Sequence, residues 1–165
     1  MADQIISQEY LHKIFNYKDG VLYRKNGKKA GSLRTDNRIH ITINYKIYKS
    51  HRLIFLMHNG YLPEMIDHID GNSLNNNIEN LRAATRAENL QNSKLSKNNT
   101  SNVKNVCWDK KLKKWKVSIC VNNKAKYFGH YFDIDYAKFV ANAMRYKYHG
   151  NFANNGDKKW KERSQ

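Results

Sequence analysis

Apolar and polar residues alternate in short runs along this chain, and the spacing of the runs predicts a mixture of small helices and strands. Apolar side chains between Tyr10 and Phe15 fall on one helical face, and Ser7 is the predicted N-cap of this helix. Strict alternation further along predicts a small antiparallel sheet. Its predicted strands are residues 21–23, 39–43 and 45–48, with a tight bend at Asn44.

The middle of the chain predicts the order helix, strand, polar loop, strand, helix. Gly60 and Pro63 end the first of these helices. Thr85 and Glu88 match the capping-box pattern, which begins the second helix. The predicted elements are a helix at residues 51–59 with Ser50 as its N-cap, strands at 65–68 and 81–84, and a helix from 85 to about 92.

The last third of the chain predicts a second module. The polar segment 93–102 has almost no apolar residue and is the predicted linker. Trp115, Val117 and Ile119 then alternate with polar residues, which indicates a half-buried strand with Trp115 in the core. The predicted module has three short strands, with a turn at 122–123, and one helix from 133 or 135 to 149 that Gly150 ends.

The charge of the chain indicates a polyanionic partner. Lys and Arg number 30 against 14 Asp and Glu, so the formal net charge is +16. Nucleic acid is the first expectation, since no apolar run reaches the ~20 residues that a membrane-spanning helix needs. The two cysteines form no CxxC pair, which argues against a thiolate zinc site or a disulfide framework. A cytoplasmic protein is expected, with no protein partner evident.

One cluster of polar residues predicts phosphodiester hydrolysis. Asp67 and His68 are adjacent, and Asn80 and Asn89 follow the histidine by 12 and 21 residues. A neutral imidazole can activate water, and a hard divalent cation with oxygen ligands can shield the charge on the phosphate. Asp67 and Asn89 would supply such oxygens. The amide oxygen of Asn80 would hold one nitrogen of the His68 ring and fix its tautomer.

These residues resemble the HNH endonucleases of the ββα-metal class, in particular phage homing endonucleases. The resemblance covers roughly residues 20–92 and implies that His68 is the general base with Asn80 as its partner. It also implies that Asp67 and Asn89 bind one Mg²⁺ or Mn²⁺ ion, and that cleavage leaves 5′-phosphate and 3′-hydroxyl ends. It is carried by His51-Arg52-Leu53, Asp67-His68-Ile69-Asp70-Gly71-Asn72, Asn75-Asn76-Asn77-Ile78-Glu79-Asn80-Leu81-Arg82 and Glu88-Asn89-Leu90-Gln91-Asn92.

The second module resembles the APETALA or ethylene-response-factor type of DNA-binding domain. Such domains lay a three-stranded sheet in the major groove. The sequence departs from that family at Asn105, where glycine is usual, and at Cys120, where arginine is usual. The resemblance rests on Val106, Lys114-Trp115, Ile119, Phe128-Gly129, Tyr131, Ala137, Ala141 and Tyr148-His149-Gly150.

Ten residues are predicted to contact DNA. Arg82 and Arg86 flank the cluster and could bind backbone phosphates, although a solvated basic face is the alternative. For Asp70 and Asn72, a role in forming the turn is favoured over metal binding. His51 could touch phosphate or could pack at its helix start. The ten residues are Arg82, Arg86, Trp108, Lys110, Lys114, Lys116, Ser118, Lys124, Lys126 and Tyr127.

Together these patterns predict an α+β chain with two modules. A ββα-metal nuclease module with an N-terminal antiparallel sheet occupies residues 1–92, with its core motif at 51–92. Residues 93–102 link it to the DNA-binding module, 103–155, and 156–165 form a tail.

The predicted function is metal-dependent cleavage of duplex DNA, in the host cytoplasm if a phage encodes the chain. A monomer would nick, and a homodimer could cut both strands. The alternatives are a non-cleaving DNA-binding regulator and an RNA-binding protein.

Overall fold

A computed structural model describes residues 6–96, 98–122 and 124–156. The chain forms two compact units, Met1–Ala84 and Thr85–Gln165. The predicted nuclease module extends to residue 92 and therefore includes the first helix of the second unit; its extent stays a prediction. The predicted tail lies outside the described residues except for Gly156, and so does Asn123 of the predicted turn.

The first unit consists of three small antiparallel sheets and two helices. Strands β1 and β2 pair, β3, β4 and β5 form the second sheet, and β6 pairs with β7. The predicted strands at 39–43 and 45–48 pair as expected, with Asn44 at their bend (φ 48°). The predicted strand at 21–23 does not join them, because β2 pairs with β1 in a separate sheet. The elements are α1 (Gln8–Ile14), β1 (Phe15–Lys18), β2 (Val21–Arg24), β3 (Ser32–Leu33), β4 (Ile39–Ile43), β5 (Lys46–Lys49), α2 (Ser50–Asn59), β6 (Met65–His68), a 3-10 helix (Ile78–Asn80) and β7 (Leu81–Ala84).

The helix boundaries of the first unit agree with the sequence pattern in part. Ser7 caps α1 as predicted, since its side chain accepts a hydrogen bond from the Tyr10 amide. The prediction that Phe15 belongs to this helix is wrong, because Phe15 is fully buried, has extended backbone and begins β1. Ser50 is also not the N-cap of α2. Strand β5 runs into this helix without a loop, so the extended boundary residue is Lys49.

The hydrophobic core of the first unit is built around helix α2. Leu53, Ile54 and Phe55 are buried there together with Leu22 and Ile41 of the neighbouring strands. Burial of apolar area of this kind is the main source of stability in a small unit. The Gly60 backbone has a φ of 76°, and this left-handed residue ends α2 as predicted. Ser50 and His51 on the first turn of α2 are buried as well.

The second unit has the predicted three strands and long helix. Its antiparallel sheet has the order β10-β9-β8. Thr85 and Glu88 form the predicted capping box of the first helix, and Asp133 caps the last one. The elements are α3 (Arg86–Gln91), β8 (Val106–Asp109), β9 (Lys114–Val121), β10 (Lys124–Tyr131), α4 (Ile134–His149) and a 3-10 helix (Gly150–Phe152).

Helix α4 covers one face of this sheet. Val106 and Val117 are buried against Ala137 and Ala141, and Trp115 packs on the same cluster, as predicted. Ladder partners directly opposite each other share a face of an antiparallel sheet. Residues in register with this apolar row therefore face α4, and the alternate residues lie on the opposite face. That opposite face is called the open face below.

A buried arginine holds the end of α4 to the start of the sheet. Arg145 is 0% exposed, and its Nη1 donates to the carbonyl oxygen of Lys104 at 2.6 Å and to Oδ1 of Asn105 at 3.2 Å. It also donates to the side-chain oxygens of Asn142 and Asn155. Asn105 has a φ of 67°, a region that asparagine tolerates better than most residues, and it stands where the resembled family has glycine.

The predicted linker contains no helix or strand in its described residues, which are 93–96 and 98–102. It nevertheless contacts the sheet, because the buried Ser101 hydroxyl donates to the Val106 carbonyl oxygen at 2.6 Å. Lys104 Nζ also donates to the carbonyl oxygens of Gln91 and Ser93. Within the described residues, no helix has the length and apolar character that a membrane crossing requires.

Candidate active site

The β6–β7 hairpin places the predicted catalytic pair in the first unit. Asp67 is opposite Arg82 in the ladder and His68 is opposite Leu81. Asp67 is 4% exposed and His68 is 5% exposed. The loop between the strands closes directly after His68, where the Ile69 amide donates to the Asn80 carbonyl oxygen at 2.9 Å. His68 therefore lies where regular pairing ends and the loop begins.

Side-chain hydrogen bonds hold this loop. Oδ1 of Asn80 accepts from the Asp70 amide at 3.0 Å, and its Nδ2 donates to Oδ1 of Asp70 and to the carbonyl oxygen of Asn75. Asp70 also accepts from the Asn72 amide, so the predicted turn role of this pair is confirmed. Burial raises the pKa of Asp70, but hydrogen bonds from Asn75, Asn72 and Asn80 outweigh it and lower the pKa overall.

The partner of the His68 ring is Asn76. Nε2 of His68 lies 2.9 Å from Oδ1 of this buried asparagine. The prediction that the Asn80 amide oxygen holds the ring is wrong, because that oxygen accepts from the loop backbone instead. An amide oxygen only accepts, so Nε2 carries the proton and Nδ1 is the basic nitrogen of the neutral ring. Asn80 acts on His68 indirectly, through the loop.

The environment of His68 favours the neutral ring. Burial is the largest effect and lowers the pKa of His68, while the hydrogen bond to Asn76 partly opposes it. The positive charge of Arg38, in the loop before β4, lowers it further. Nη1 of Arg38 is buried and has no hydrogen-bond partner among the described residues. A neutral imidazole near a cation is the state that a general base for phosphate chemistry requires.

His51 packs directly against the His68 ring. It lies on the first turn of α2, is 6% exposed, and its ring contacts His68 edge-on with 5.2 Å between centroids. Burial and the neighbouring His68 lower the pKa of His51 to about 3. Of the two predicted roles, packing at the helix start agrees with this position. His51 therefore forms one wall of the site.

The buried His51 makes the first unit sensitive to acid. Its folded pKa of about 3 lies below the ordinary histidine pKa of 6.5, so the unfolded chain binds more protons than the folded chain between these two pH values. Stability is then complete above pH ~6.5 and falls as the pH drops, by about 2 kcal/mol at pH 5. We expect hydrogen exchange of peptides from α2 to accelerate at pH 5 after correction for intrinsic rates. His51→Gln should remove most of this change, and an unchanged pH dependence in that variant would contradict the assignment.

Asp67 and Arg82 form an ion pair across the hairpin. Oδ2 of Asp67 accepts from Nε of Arg82 at 2.8 Å and lies 2.6 Å from Nη2. Arg82, predicted to bind DNA phosphate, thus contacts the predicted metal ligand. Among the described residues, no group of three or more His, Cys, Asp or Glu side chains is assembled as for a metal ion. The oxygen donors of Asp67 and Asn89 suit a hard ion in chemical type.

The N-terminal hairpin supports the loop that carries Asn76. Gly20, in the β1–β2 turn, has a φ of +77°, and a Cβ on it would lie 2.7 Å from the Asn77 nitrogen and 2.9 Å from the Asn76 carbonyl carbon. The Tyr17 hydroxyl also accepts from the Ile78 amide at 3.0 Å. Only glycine allows this approach, so residues distant in sequence determine where the partner of His68 lies.

Gly20→Ala should therefore displace the Asn76 loop. We expect the unfolding free energy of the first unit to fall by about 2–3 kcal/mol, from backbone strain plus the steric conflict. Gly27→Ala is a matched control, because Gly27 has a φ of +80° but has no atom within 4 Å of its would-be Cβ. That variant should lose only about 1 kcal/mol. Urea unfolding of both variants measures the difference, and equal losses would show that Gly20 does not support the loop.

Asn89 and Arg86 belong to the second unit. Asn89 is half-buried on α3, and its amide donates to the Thr85 carbonyl oxygen in the first helical turn. Arg86 is exposed at the start of the same helix. Helix α3 is tied within its own unit, since Nδ2 of Asn154 donates to the Asn92 carbonyl oxygen at 2.8 Å. The sequence prediction of Asn89 as a metal ligand stays a prediction.

The structure distributes the predicted DNA-contacting residues of the sheet over both faces. Lys114, Lys116, Ser118 and Tyr127 lie on the open face, in the alternate ladder positions. Lys110 is exposed in the β8–β9 turn. The others lie on the side of α4: Trp108 contacts Trp115, Lys124 and Lys126 are opposite Val121 and Ile119, and Lys126 donates to the Tyr148 hydroxyl.

Two comparisons with known proteins agree with the site. The HNH endonuclease family model matches residues 48–91. Protein 3.8 of Escherichia phage T7 is 34% identical over 111 residues, which are 66% of this chain and 91% of that protein. The chain belongs to the HNH endonuclease family. The predicted HNH endonuclease domain is thereby confirmed, and its matched part contains Asp67, His68, Asn76, Asn80 and Asn89.

A solved structure is also similar to this HNH protein. It concerns DNA binding and cleavage by the HNH homing endonuclease I-HmuI, and the two chains are 31% identical. The likeness covers 47% of this chain and 50% of that one, so this chain spans about half the length of the solved protein. The TM-score of 0.40 is too low to establish a common overall fold.

Sequence reasoning missed Asn76 and Arg38 in this HNH domain and left the role of His51 open. The sequence does not single out Asn76, because a run of three asparagines does not reveal which side chain turns inward. Arg38 lies 30 residues before His68, in the loop before β4. Of these three residues, only His51 is indicated by the sequence pattern, because it lies among the apolar residues of a predicted helix. A histidine on the core face of a helix is either packed or functional.

Proposed function

We propose that this HNH protein is a metal-dependent endonuclease that hydrolyses phosphodiester bonds of duplex DNA. The observation that carries the proposal is the buried His68 ring beside Asp67, held by Asn76 through Nε2. This arrangement leaves Nδ1 as the basic nitrogen and keeps the ring neutral near pH 7. A homing endonuclease, as predicted from the sequence, is the more specific form of the proposal.

In the proposed reaction, His68 Nδ1 takes a proton from the water whose oxygen bonds to the phosphorus atom. The P–O3′ bond breaks at the same time, and the leaving 3′ oxygen takes a proton from solvent. Asp67 and Asn89 would hold one Mg²⁺ or Mn²⁺ ion, which when bound supplies Lewis-acid shielding of the phosphate oxygens. Arg82 would hold the Asp67 carboxylate in orientation. Asn80 braces the loop and so keeps His68 at the strand end. We propose products with 5′-phosphate and 3′-hydroxyl ends, because the resemblance to HNH endonucleases implies them.

Arg38 is proposed to bind the scissile phosphate. Its buried Nη1 has no hydrogen-bond partner among the described residues, and its charge acts on both His51 and His68. A buried donor of this kind gains free energy when an anion pairs with it. Developing negative charge on the phosphoryl oxygens would strengthen that interaction in the transition state.

The second unit is proposed to bind duplex DNA as an APETALA-type module. Its open face carries Lys114, Lys116 and Ser118 on β9 and Tyr127 on β10. The net charge of +16 favours a polyanion, and DNA affinity should fall steeply with salt concentration. Arg86 on α3 and Lys110 in the sheet turn would add phosphate contacts. The host cytoplasm is the proposed site of action.

Incubation of supercoiled plasmid with the full chain tests the proposal. Mg²⁺ or Mn²⁺ should produce nicked or linear DNA, and EDTA should prevent it. A nicked product would favour a monomer, and a linear one a homodimer. If the chain binds DNA but cuts it in no divalent metal, the rival function of a non-cleaving DNA-binding regulator is correct. Competition between duplex DNA and RNA distinguishes the remaining RNA-binding alternative.

A further inference from the structure

Three side chains form a hydrogen-bonded chain across the open face of the second unit's sheet. The Tyr127 hydroxyl oxygen lies 2.6 Å from Nδ1 of His130. Nε2 of His130 lies 3.0 Å from Oδ2 of Asp109. Tyr127 and His130 are on β10 and Asp109 is on β8, so the chain crosses the central strand. Neither the family resemblance nor the sequence pattern assigns a role to His130 or Asp109.

An irregular strand makes this arrangement possible. Residues three apart in a regular strand point to opposite faces. The ladder of β10 shifts register between Tyr127 and Gly129, which brings Tyr127 and His130 to the same face. Gly129 has a φ of +118°, and a Cβ there would lie 2.7 Å from the Tyr131 hydroxyl oxygen. The bulge therefore requires glycine at position 129. The bulge also places the Tyr127 side chain on the same face as His130.

The direction of each proton in the chain follows from Asp109. Its Oδ1 accepts from the Lys111 and Leu112 amides at 2.9 and 3.0 Å. The Leu112 hydrogen bond is the largest cause that lowers the pKa of Asp109, so its carboxylate is ionised near neutral pH. A carboxylate only accepts, and Nε2 of His130 must therefore carry a proton. In the neutral ring Nδ1 then accepts, and the Tyr127 hydroxyl donates to it.

A tyrosine that has donated its only proton is left as a hydrogen-bond acceptor. The Tyr127 side chain is 54% exposed, so its oxygen can meet a ligand. In the major groove, the exocyclic amino groups of adenine and cytosine are donors, while guanine O6 and N7, thymine O4 and the phosphate oxygens are acceptors. The fixed hydroxyl therefore favours an amino group and disfavours phosphate.

We propose that Tyr127, oriented by His130 and Asp109, reads an adenine or cytosine by accepting a hydrogen bond from its amino group in the major groove. The inference rests on the proposed binding of DNA by the open face. Lys114 and Lys116 lie on the same face and would supply the attraction to phosphates. Base choice at this position would thus depend on Tyr127 while overall affinity depends on the lysines.

Selection from a pool of randomised DNA duplexes by the full chain, in EDTA, tests the proposal. The wild-type chain should prefer adenine or cytosine at one position. Tyr127→Phe should lower that preference about threefold to tenfold, as expected for one hydrogen bond, and leave the other positions unchanged. Tyr136→Phe is the control, because Tyr136 is exposed on α4 rather than on the sheet face, and it should change no position.

Asp109→Asn gives the sharper result. The asparagine oxygen can keep the Lys111 and Leu112 hydrogen bonds, so its amide nitrogen would face Nε2 of His130 and donate to it. The ring would then carry its proton on Nδ1, and the Tyr127 hydroxyl would be released to donate outward. We expect the preference at the same position to shift toward guanine or thymine, with tryptophan fluorescence reporting a folded sheet.

The outcomes separate this inference from the proposed function. If the wild-type chain selects a sequence but neither variant alters any position, Tyr127 does not read a base and the inference is wrong. If the wild-type chain binds duplexes with no base preference, the inference is wrong and phosphate binding remains. If it binds no duplex at all, the proposed DNA binding fails, and the inference fails with it.

Discussion

Replacing His68 by alanine is expected to lower the rate of the proposed DNA cleavage by at least ~10²-fold, because the proposed general base is removed. DNA affinity should stay within about twofold of the wild-type value, since the proposed phosphate contacts are made by other residues. Plasmid cleavage in Mg²⁺ and a binding assay in EDTA measure the two quantities. His12→Ala is a suitable control, because His12 is exposed on α1 and its Nε2 lies 2.9 Å from the Met57 carbonyl oxygen.

Asn76→Ala extends this experiment to the partner of the ring. The alanine variant keeps the imidazole but loses the acceptor at Nε2. We expect about a tenfold lower kcat with little change in KM, since one orienting hydrogen bond contributes on the order of 1 kcal/mol. An unchanged kcat in the Asn76 variant would contradict the orienting role of Asn76.

For the His68 variant, an equal loss of cleavage and of binding would mark His68 as a structural residue.

Arg145→Met is expected to cause the largest loss of stability in the second unit. The substitution leaves the Lys104 carbonyl and the side-chain oxygens of Asn105, Asn142 and Asn155 without the guanidinium that they share. Buried acceptors that lose a partner cost about 1–3 kcal/mol each, so the unfolding free energy should fall by about 3 kcal/mol or more. Urea unfolding followed by tryptophan fluorescence reports this unit, because Trp108 and Trp115 lie in its sheet.

Lys138→Met provides the control for that measurement. It removes a positive charge from the same helix, but Lys138 is exposed, so the change should stay within about 0.5 kcal/mol. If both variants unfold at the same urea concentration, Arg145 does not hold the end of α4 in place. If the Arg145 variant does not fold at all, its far-ultraviolet circular dichroism will show the loss of helix, which agrees with the predicted role.

The sequence predicted the elements of the site better than its contacts. The strands that flank the loop and the capping box of α3 follow from local patterns, and the structure contains them. The identity of the His68 partner could not follow from spacing. Asn76 and Asn80 are chemically the same, and which amide turns inward depends on the packing of Gly20 against the loop, a contact between distant residues.

The errors at Phe15 and Ser50 have a common physical origin. In both places a helix and a strand join without an intervening loop, so the usual boundary residues are absent. Apolar periodicity favours a helical Phe15, and local preference favours a capping Ser50. Burial in the core and pairing with a neighbouring strand decide the outcome instead. The open-face chain of the second unit was also beyond prediction, because it depends on the bulge at Gly129.

The contact between Gly20 and the Asn76 loop has a consequence for the size of the smallest working nuclease. A peptide limited to the matched motif, residues 48–91, would contain His68, Asp67 and both asparagines that serve the loop. It would lack the glycine turn, Tyr17 and Arg38. Transplanting the motif alone to another protein would therefore move the reactive groups without the parts that aim them. The transferable unit begins in the N-terminal hairpin.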